Sequence, residues 1–258
     1  MTSWLLLVPA VISLGAVCVA VYTDMRRRII PNKLNYPLIV FGVLFYLLLG
    51  VYFQDLAIAV SGLLGAGVSF AIGYAMWSFG DWAGGDVKLF TALGALLPRF
   101  SAPYVSASYS SSYPLFPVTI LLNGLILAAP VLLLYAAICH LRGRGALYED
   151  VKITNLEEGM TPAETIYEKD GEIGRWRSKW GTKPQWDRTY TDSRRAEGLT
   201  RYQVGALKHL VRAEKLKNKI RIKRGIPFAP VLGAGVFIAV LYGDLYWWLV
   251  LALQGGVI

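Results

Sequence analysis

Apolar residues in this chain come in long unbroken blocks separated by short polar punctuation, and one stretch departs from that rhythm. Blocks of spanning length occupy residues 4–22, 36–53, 56–79, 115–139 and 226–252. A helix that crosses a bilayer needs about 20 mostly apolar residues, because hydrocarbon offers no partner to an unpaired backbone N–H or C=O. A sixth block, 84–98 (GGDVKLFTALGALLP), is short and carries Asp86 and Lys88 in its first turn. The pattern predicts an all-α polytopic membrane protein with six transmembrane helices. Glycine- and alanine-rich stretches such as SGLLGAG (61–67) are expected to let those helices pack closely, through Gly62, Gly65 and Gly67.

Residues 140–225 are built differently. DVKITNLEEGM and ETIYEKDGEI alternate like short strands, with Asp170-Gly171 as a hairpin turn. Further on, Thr200 and Gln203 fit a capping box, and Val204, Leu207 and Val211 recur at helical spacing. KIRIKRG then alternates again before the last apolar block. The expected organisation is a membrane domain at 1–139, a basic segment at 140–225 and a final span at 226–258. The middle segment reads as a small α+β cytoplasmic domain between helices five and six, or as a partly ordered basic loop.

Charge settles how many blocks should cross. The 258 residues include 26 Lys+Arg and 17 Asp+Glu, a net +9, yet only 17% are charged and 55% are hydrophobic. Soluble domains average about 25% charged residues, so a water-soluble enzyme is excluded. With six spans, Arg26–Arg28, Lys33, Lys88 and all basic residues of 140–225 share one side, and only Arg99 lies opposite. Five spans would split the basic clusters between the two faces. Since positive loops stay in the cytoplasm, both termini are expected outside a plasma membrane and 140–225 inside. The first block has its charges behind it and no small-residue cleavage site, so it reads as a span and not as a signal peptide. The net charge then marks sidedness, and no nucleic-acid partner is needed to explain it. Residues 101–114 (SAPYVSASYSSSYP) read as an external loop.

Candidate chemistry rests on a few acids. Cys18 and Cys139 lie inside apolar runs, and with two histidines, His140 and His209, no zinc or disulfide framework is available. Neither HExxH nor a GxSxG elbow occurs. Outside 140–225 there are five acids: Asp24, Asp55, Asp81, Asp86 and Asp244. Asp55 and Asp244 fall at external boundaries, where a solvated carboxylate is ordinary. Asp24 closes the first span in YTDMRRRIIPN, where a simple ion pair with Arg26, Arg27 or Arg28 is one reading. Asp86 follows Gly84 and Gly85, whose missing side chains admit close approach by backbone or substrate; a helix cap is its plain reading. Together, at the same face and depth, the two could share a proton, one acting as base on a water and the other polarising a peptide carbonyl. Asp81, in SFGDW, is a rival for the second position. A proton- or cation-coupled transporter using the same carboxylates is the alternative from another class, and a scaffold binding anionic lipid a further one.

Asp24 with RRRIIPN, GGDVKL at 84–89 and IPFAP at 226–230 resemble, in order, three landmarks of the type IV prepilin peptidases, intramembrane aspartic proteases of the GxGD type. The middle segment and the lack of a Cys-rich loop are similar to the archaeal branch, which includes preflagellin peptidases. The resemblance implies Asp24 and Asp86 as the catalytic pair, Gly84 and Gly85 as motif residues, and no metal or cofactor. It implies cleavage of the short basic leader from preflagellin or pilin-like precursors at the cytoplasmic face of the bilayer, with helix movement as a way to bring the two acids together. One departure stands out: where the motif has its first Gly, three residues before the second acid, this chain has Ala83.

Overall fold

The structure is a computed structural model, and it describes residues 4–79, 82–100, 116–142, 148–177, 185–193, 198–223 and 227–254. The 101–114 loop and Asp81 lie outside the described residues. In chain order the elements are α1 (Leu7–Arg27), α2 (Asn32–Phe53), α3 (Leu56–Ser78), α4 (Gly84–Leu96), α5 (Phe116–Leu141), β1 (Tyr148–Val151), a 3-10 turn (Ile153–Asn155), β2 (Thr165–Lys169), β3 (Glu172–Trp176), β4 (Arg188–Thr189), α6 (Arg201–Arg212), β5 (Ile220–Lys223), α7 (Ala229–Leu241) and α8 (Leu245–Leu253). They form two compact units, one holding α1–α4, most of α5, α7 and α8, the other β1–β5 and α6.

In the helical unit, α1, α2, α3 and α5 are each long and apolar enough to cross a bilayer. Close approaches give the relative directions of the helices. A Cβ on Gly50 would meet the backbone of Ala59, and one on Gly62 the carbonyl of Gly42, so α3 runs antiparallel to α2. Gly42 abuts Ala95 while Lys88 reaches Asn32, so α4 runs parallel to α2. A Cβ on Gly65 would lie 2.2 Å from the Gly94 carbonyl, which makes these two small residues a condition of the α3–α4 contact. Gly62 and Gly65 therefore pack as expected, whereas Gly67 faces open space. On the other side, Gly233 sits against Val17 and Val21, and Gly124 against Val231, so α7 opposes both α1 and α5. The polarity thus alternates through α1–α5 and α7. At 13 residues α4 spans roughly 20 Å, short of the ~30 Å hydrocarbon core, but Val87 and Leu89–Leu96 are all buried.

The last apolar block corrects an expectation. It is two helices, α7 and α8, bent by 70° at a break around Gly243, which has a φ of +113°. Asp244, expected to be a solvated boundary acid, has 0% exposure. Its Oδ1 accepts from Trp247 N (3.0 Å) and its Oδ2 from Thr119 Oγ1 (3.1 Å). Beside it Asn123 donates to the Gly243 carbonyl (2.8 Å) and accepts from Leu245 N (2.9 Å). An acid that satisfies the free N–H groups of a helix start begins a new helix; a hydropathy average over the block is blind to that. Asp55 does behave as expected, as an exposed cap accepting from Ala57 N and Ile58 N.

The second unit is α+β, ordered by local signals that were legible. Asp170 (φ +51°) and Gly171 (φ +81°) make the two-residue turn between β2 and β3, which pair antiparallel with Ile166 opposite Arg175. β4 adds to the other edge of β2, while β1 and β5 form a separate antiparallel pair. Thr200 and Gln203 complete the capping box of α6. That helix buries Val204, Leu207 and Leu210, with Val211 only partly covered, against Ile153, Ile166 and Ile220.

Candidate active site

Asp24 lies near the end of α1, and its position on the helix decides its surroundings. The buried residues of α1 are Pro9, Ala10, Ser13, Ala16, Val17, Ala20 and Asp24, a single stripe at 3–4 residue spacing. The carboxylate therefore continues the core face, only 7% exposed, while Met25, Arg26 and Arg27 project outward. Arg28, at φ +56°, ends the helix with its N–H on the Asp24 carbonyl (2.9 Å). Arg26, one of the three arginines offered as an ion-pair partner, turns back to the Tyr22 hydroxyl and ring instead. Among the described residues, the side chain of Asp24 takes one hydrogen bond, from Ala229 N to Oδ2 (3.2 Å).

That partner explains the IPFAP segment. Ala229 begins α7, whose N-cap residue Phe228 has no side-chain acceptor for the first free N–H groups. Asp24 supplies the acceptor from a helix 205 residues away, at the positive end of the α7 dipole. The sequence reading named the segment as a landmark but missed Ala229 as a contact; the unmet cap before Pro230 was the available signal.

Asp86 stands in the first turn of α4, also 7% exposed. Its two preceding glycines differ. A Cβ on Gly85 would lie 3.3 Å from Ile30 Cβ, so this position lets the α1–α2 connection lie against the start of α4. Gly84 faces open space, room beside the acid for an approaching chain. Lys88 is held by Asn32 Oδ1 (2.9 Å) and sits over the Tyr36 ring. The helices α1, α4 and α7 are in mutual contact. The C-terminal end of α1 and the N-terminal ends of α2, α4 and α7 thus gather at one end of the unit, with both acids buried there. No group of three His, Cys, Asp or Glu with metal-binding geometry occurs among the described residues.

Buried carboxylates at the helix ends of an apolar bundle mark a membrane protein with a candidate proton-transfer site. Residues 11–139, which include both acids, match the type IV leader peptidase family, and the chain belongs to that family. It is a peptidase. It is similar to the prepilin peptidase EppA of Methanothermobacter thermautotrophicus, at 26% identity over 91% of this chain and 94% of that protein. It is also similar to the preflagellin peptidases of Methanococcus maripaludis (35% identity, 44% of this chain and 50% of the relative) and Methanocaldococcus jannaschii (27%, 44% and 49%).

Proposed function

We propose that the protein removes the leader peptide from preflagellin or type IV pilin-like precursors, with Asp24 and Asp86 as its catalytic carboxylates. The observation that carries the assignment is the burial of Asp24 on the core face of α1, docked on Ala229 and without an arginine partner among the described residues. A surface acid serving only to balance Arg26–Arg28 would not be held there.

In the reaction one carboxylate takes a proton from water as the water oxygen attacks the scissile carbonyl carbon, while the protonated partner donates to the carbonyl oxygen. When the tetrahedral intermediate collapses, the C–N bond breaks, the leaving nitrogen takes up the proton held by the first carboxyl, and the second carboxylate takes a proton back from the gem-diol hydroxyl as the new C=O forms. The leader ends in a carboxylate and the mature protein begins with an amine. Two carboxylates at close range disfavour double ionisation, which keeps one proton between them. Movement of the first turn of α4 against the end of α1 on substrate binding is a way to bring the two acids together, as in common gating steps.

The alternating helix directions support six crossings, with α4 as a short span and α7–α8 as a bent one. Arg26–Arg28, Lys33 and Lys88 then lie at the same face, which the positive-inside rule makes cytoplasmic. Both termini would be outside, residues 140–225 would be a cytoplasmic domain, and the cut would fall where a basic leader meets the membrane. The test uses tagged pilin- and flagellin-like precursors incubated with membranes. Asp24→Asn and Asp86→Asn are each expected to abolish processing and Asp81→Asn to leave it intact. Full processing by either of the first two would overturn the pair, whereas loss only in Asp81→Asn would move the second acid.

A further inference from the structure

In the unit formed by β1–β5 and α6, a second feature stands apart from the peptidase chemistry. Strand β5 alternates Ile220, Arg221, Ile222, Lys223. Ile220 and Ile222 face the core, so Arg221 and Lys223 share the opposite face with Tyr148 and Asp150 of the paired strand β1. Where this face meets the end of β3, a cavity of about 150 Å³ is lined by Tyr148, Ala163, Arg177, Ser193, Arg221 and Lys223. Three of the six lining residues are cationic, and none of the six described lining residues is a carboxylate.

The acids nearby sit behind the cations and hold them. Glu164, fully buried, accepts from Arg177 Nε (2.8 Å), Arg175 Nη1 (3.1 Å) and the backbone N of Arg221 (3.1 Å). One carboxylate thus ties β5 to both arginines that follow β2. Arg175 is used up structurally, since it also donates to the carbonyls of Lys217 and Lys219. Arg177 is not: its bond is through Nε, and its two terminal NH2 groups have no partner among the described residues. On the other side Asp150 braces Arg221 (3.5 Å) and Lys219 (3.0 Å), and the Arg221 guanidinium lies over the Tyr148 ring. Among the residues named here, five cations stand against two carboxylates.

Two braced guanidinium groups, an ammonium, a phenol and a hydroxyl around a small void are the donor set of a tetrahedral oxyanion. The volume is well below the ~300–1,000 Å³ of sites for larger ligands, which restricts the occupant to one such group. We propose that this cavity binds a phosphate group, as inorganic phosphate or as the phosphodiester of an anionic lipid headgroup, with Arg177, Arg221 and Lys223 as its ligands. Glu164 and Asp150 are its positioning residues, because they fix guanidinium planes that would otherwise sample many rotamers.

The test is calorimetric titration of the full chain in neutral detergent with inorganic phosphate. Saturable binding at one site is expected, weakened about tenfold in Arg177→Gln, the loss of one charge-assisted contact. Lys223→Gln, which leaves the Glu164 clamp intact, should weaken it similarly, and Arg188→Gln, a charge of the same unit outside the cavity, should not. Circular dichroism on each variant checks that it is folded. Repeating the titration in phosphatidylglycerol nanodiscs separates the sources. If phosphate no longer binds there, the headgroup holds the site; if it binds as before, the soluble ion does. No saturable binding by the wild type in detergent, or equal binding by folded Arg177→Gln and Lys223→Gln, would overturn the proposal.

Discussion

Replacing Asp24 by asparagine and by alanine separates what the side chain does chemically from what it does structurally. Asparagine keeps an oxygen where Oδ2 accepts from Ala229 N at 3.2 Å and removes only the charge and the basicity. A charge-assisted bond becomes a neutral one, a loss of about 1 kcal/mol. Alanine removes the acceptor altogether and leaves a buried N–H at the start of α7 without a partner, at about 1–3 kcal/mol plus the void. If the carboxylate is also a catalytic acid or base, either change removes roughly 10²–10⁴-fold in rate, or about 3–5 kcal/mol of barrier. The expected result is therefore a split. Both variants fail to cleave precursor in a time-course of membrane-bound enzyme. Only the alanine variant shows a clearly lowered thermal midpoint in detergent, followed by the tryptophan fluorescence of the purified protein. Near-normal cleavage by Asp24→Asn would refute a catalytic role, and an equal loss of stability in both variants would refute the capping geometry.

Three other predictions concern stability. Asp244→Ala should cost roughly 2–3 kcal/mol, since it removes the buried acceptor of Thr119 Oγ1 and the cap of Trp247 N together, whereas Asp55→Ala at an exposed cap should cost about 1; urea unfolding in detergent compares them, and equal losses would contradict the buried placement. Asn35 on α2 is fully buried, with neither its amide oxygen nor its nitrogen bonded among the described residues. Asn35→Val should therefore raise the thermal midpoint, by about 1–3 kcal/mol of relieved desolvation, and a lowered midpoint would refute this. The Lys219 ammonium bonded to Asp150, with Arg221 and Arg177 beyond it, holds that carboxyl below its ordinary 3.8. Its contribution to stability is present above that value and fades as pH falls through the lower folded one. Lys219→Met should flatten the loss of thermal midpoint between about pH 5 and 2, and an unchanged slope would count against the pairing.

The local features of this protein were legible in its residues because nearest neighbours decide them. The capping box at Thr200 and the Asp170-Gly171 turn depend on backbone geometry within four residues. The apolar lengths of α1, α2, α3 and α5 follow from the need to satisfy backbone groups in hydrocarbon. The family landmarks around Asp24 and Asp86 were likewise visible as strings. Tertiary packing decided everything that concerns burial of charge. Asp55 and Asp244 look alike as boundary acids, yet one is exposed and the other is sealed against Thr119, a residue 125 positions away. The bend between α7 and α8 is anchored by that same contact and by Asn123, so no window along the chain contains its cause. Asp24 could equally have paired with the arginines beside it. It does not, because the α1 stripe that carries it packs on α7, and the first N–H groups of α7 have no acceptor of their own. A sequence lists which groups want partners; which distant group meets that want is decided only when the helices pack.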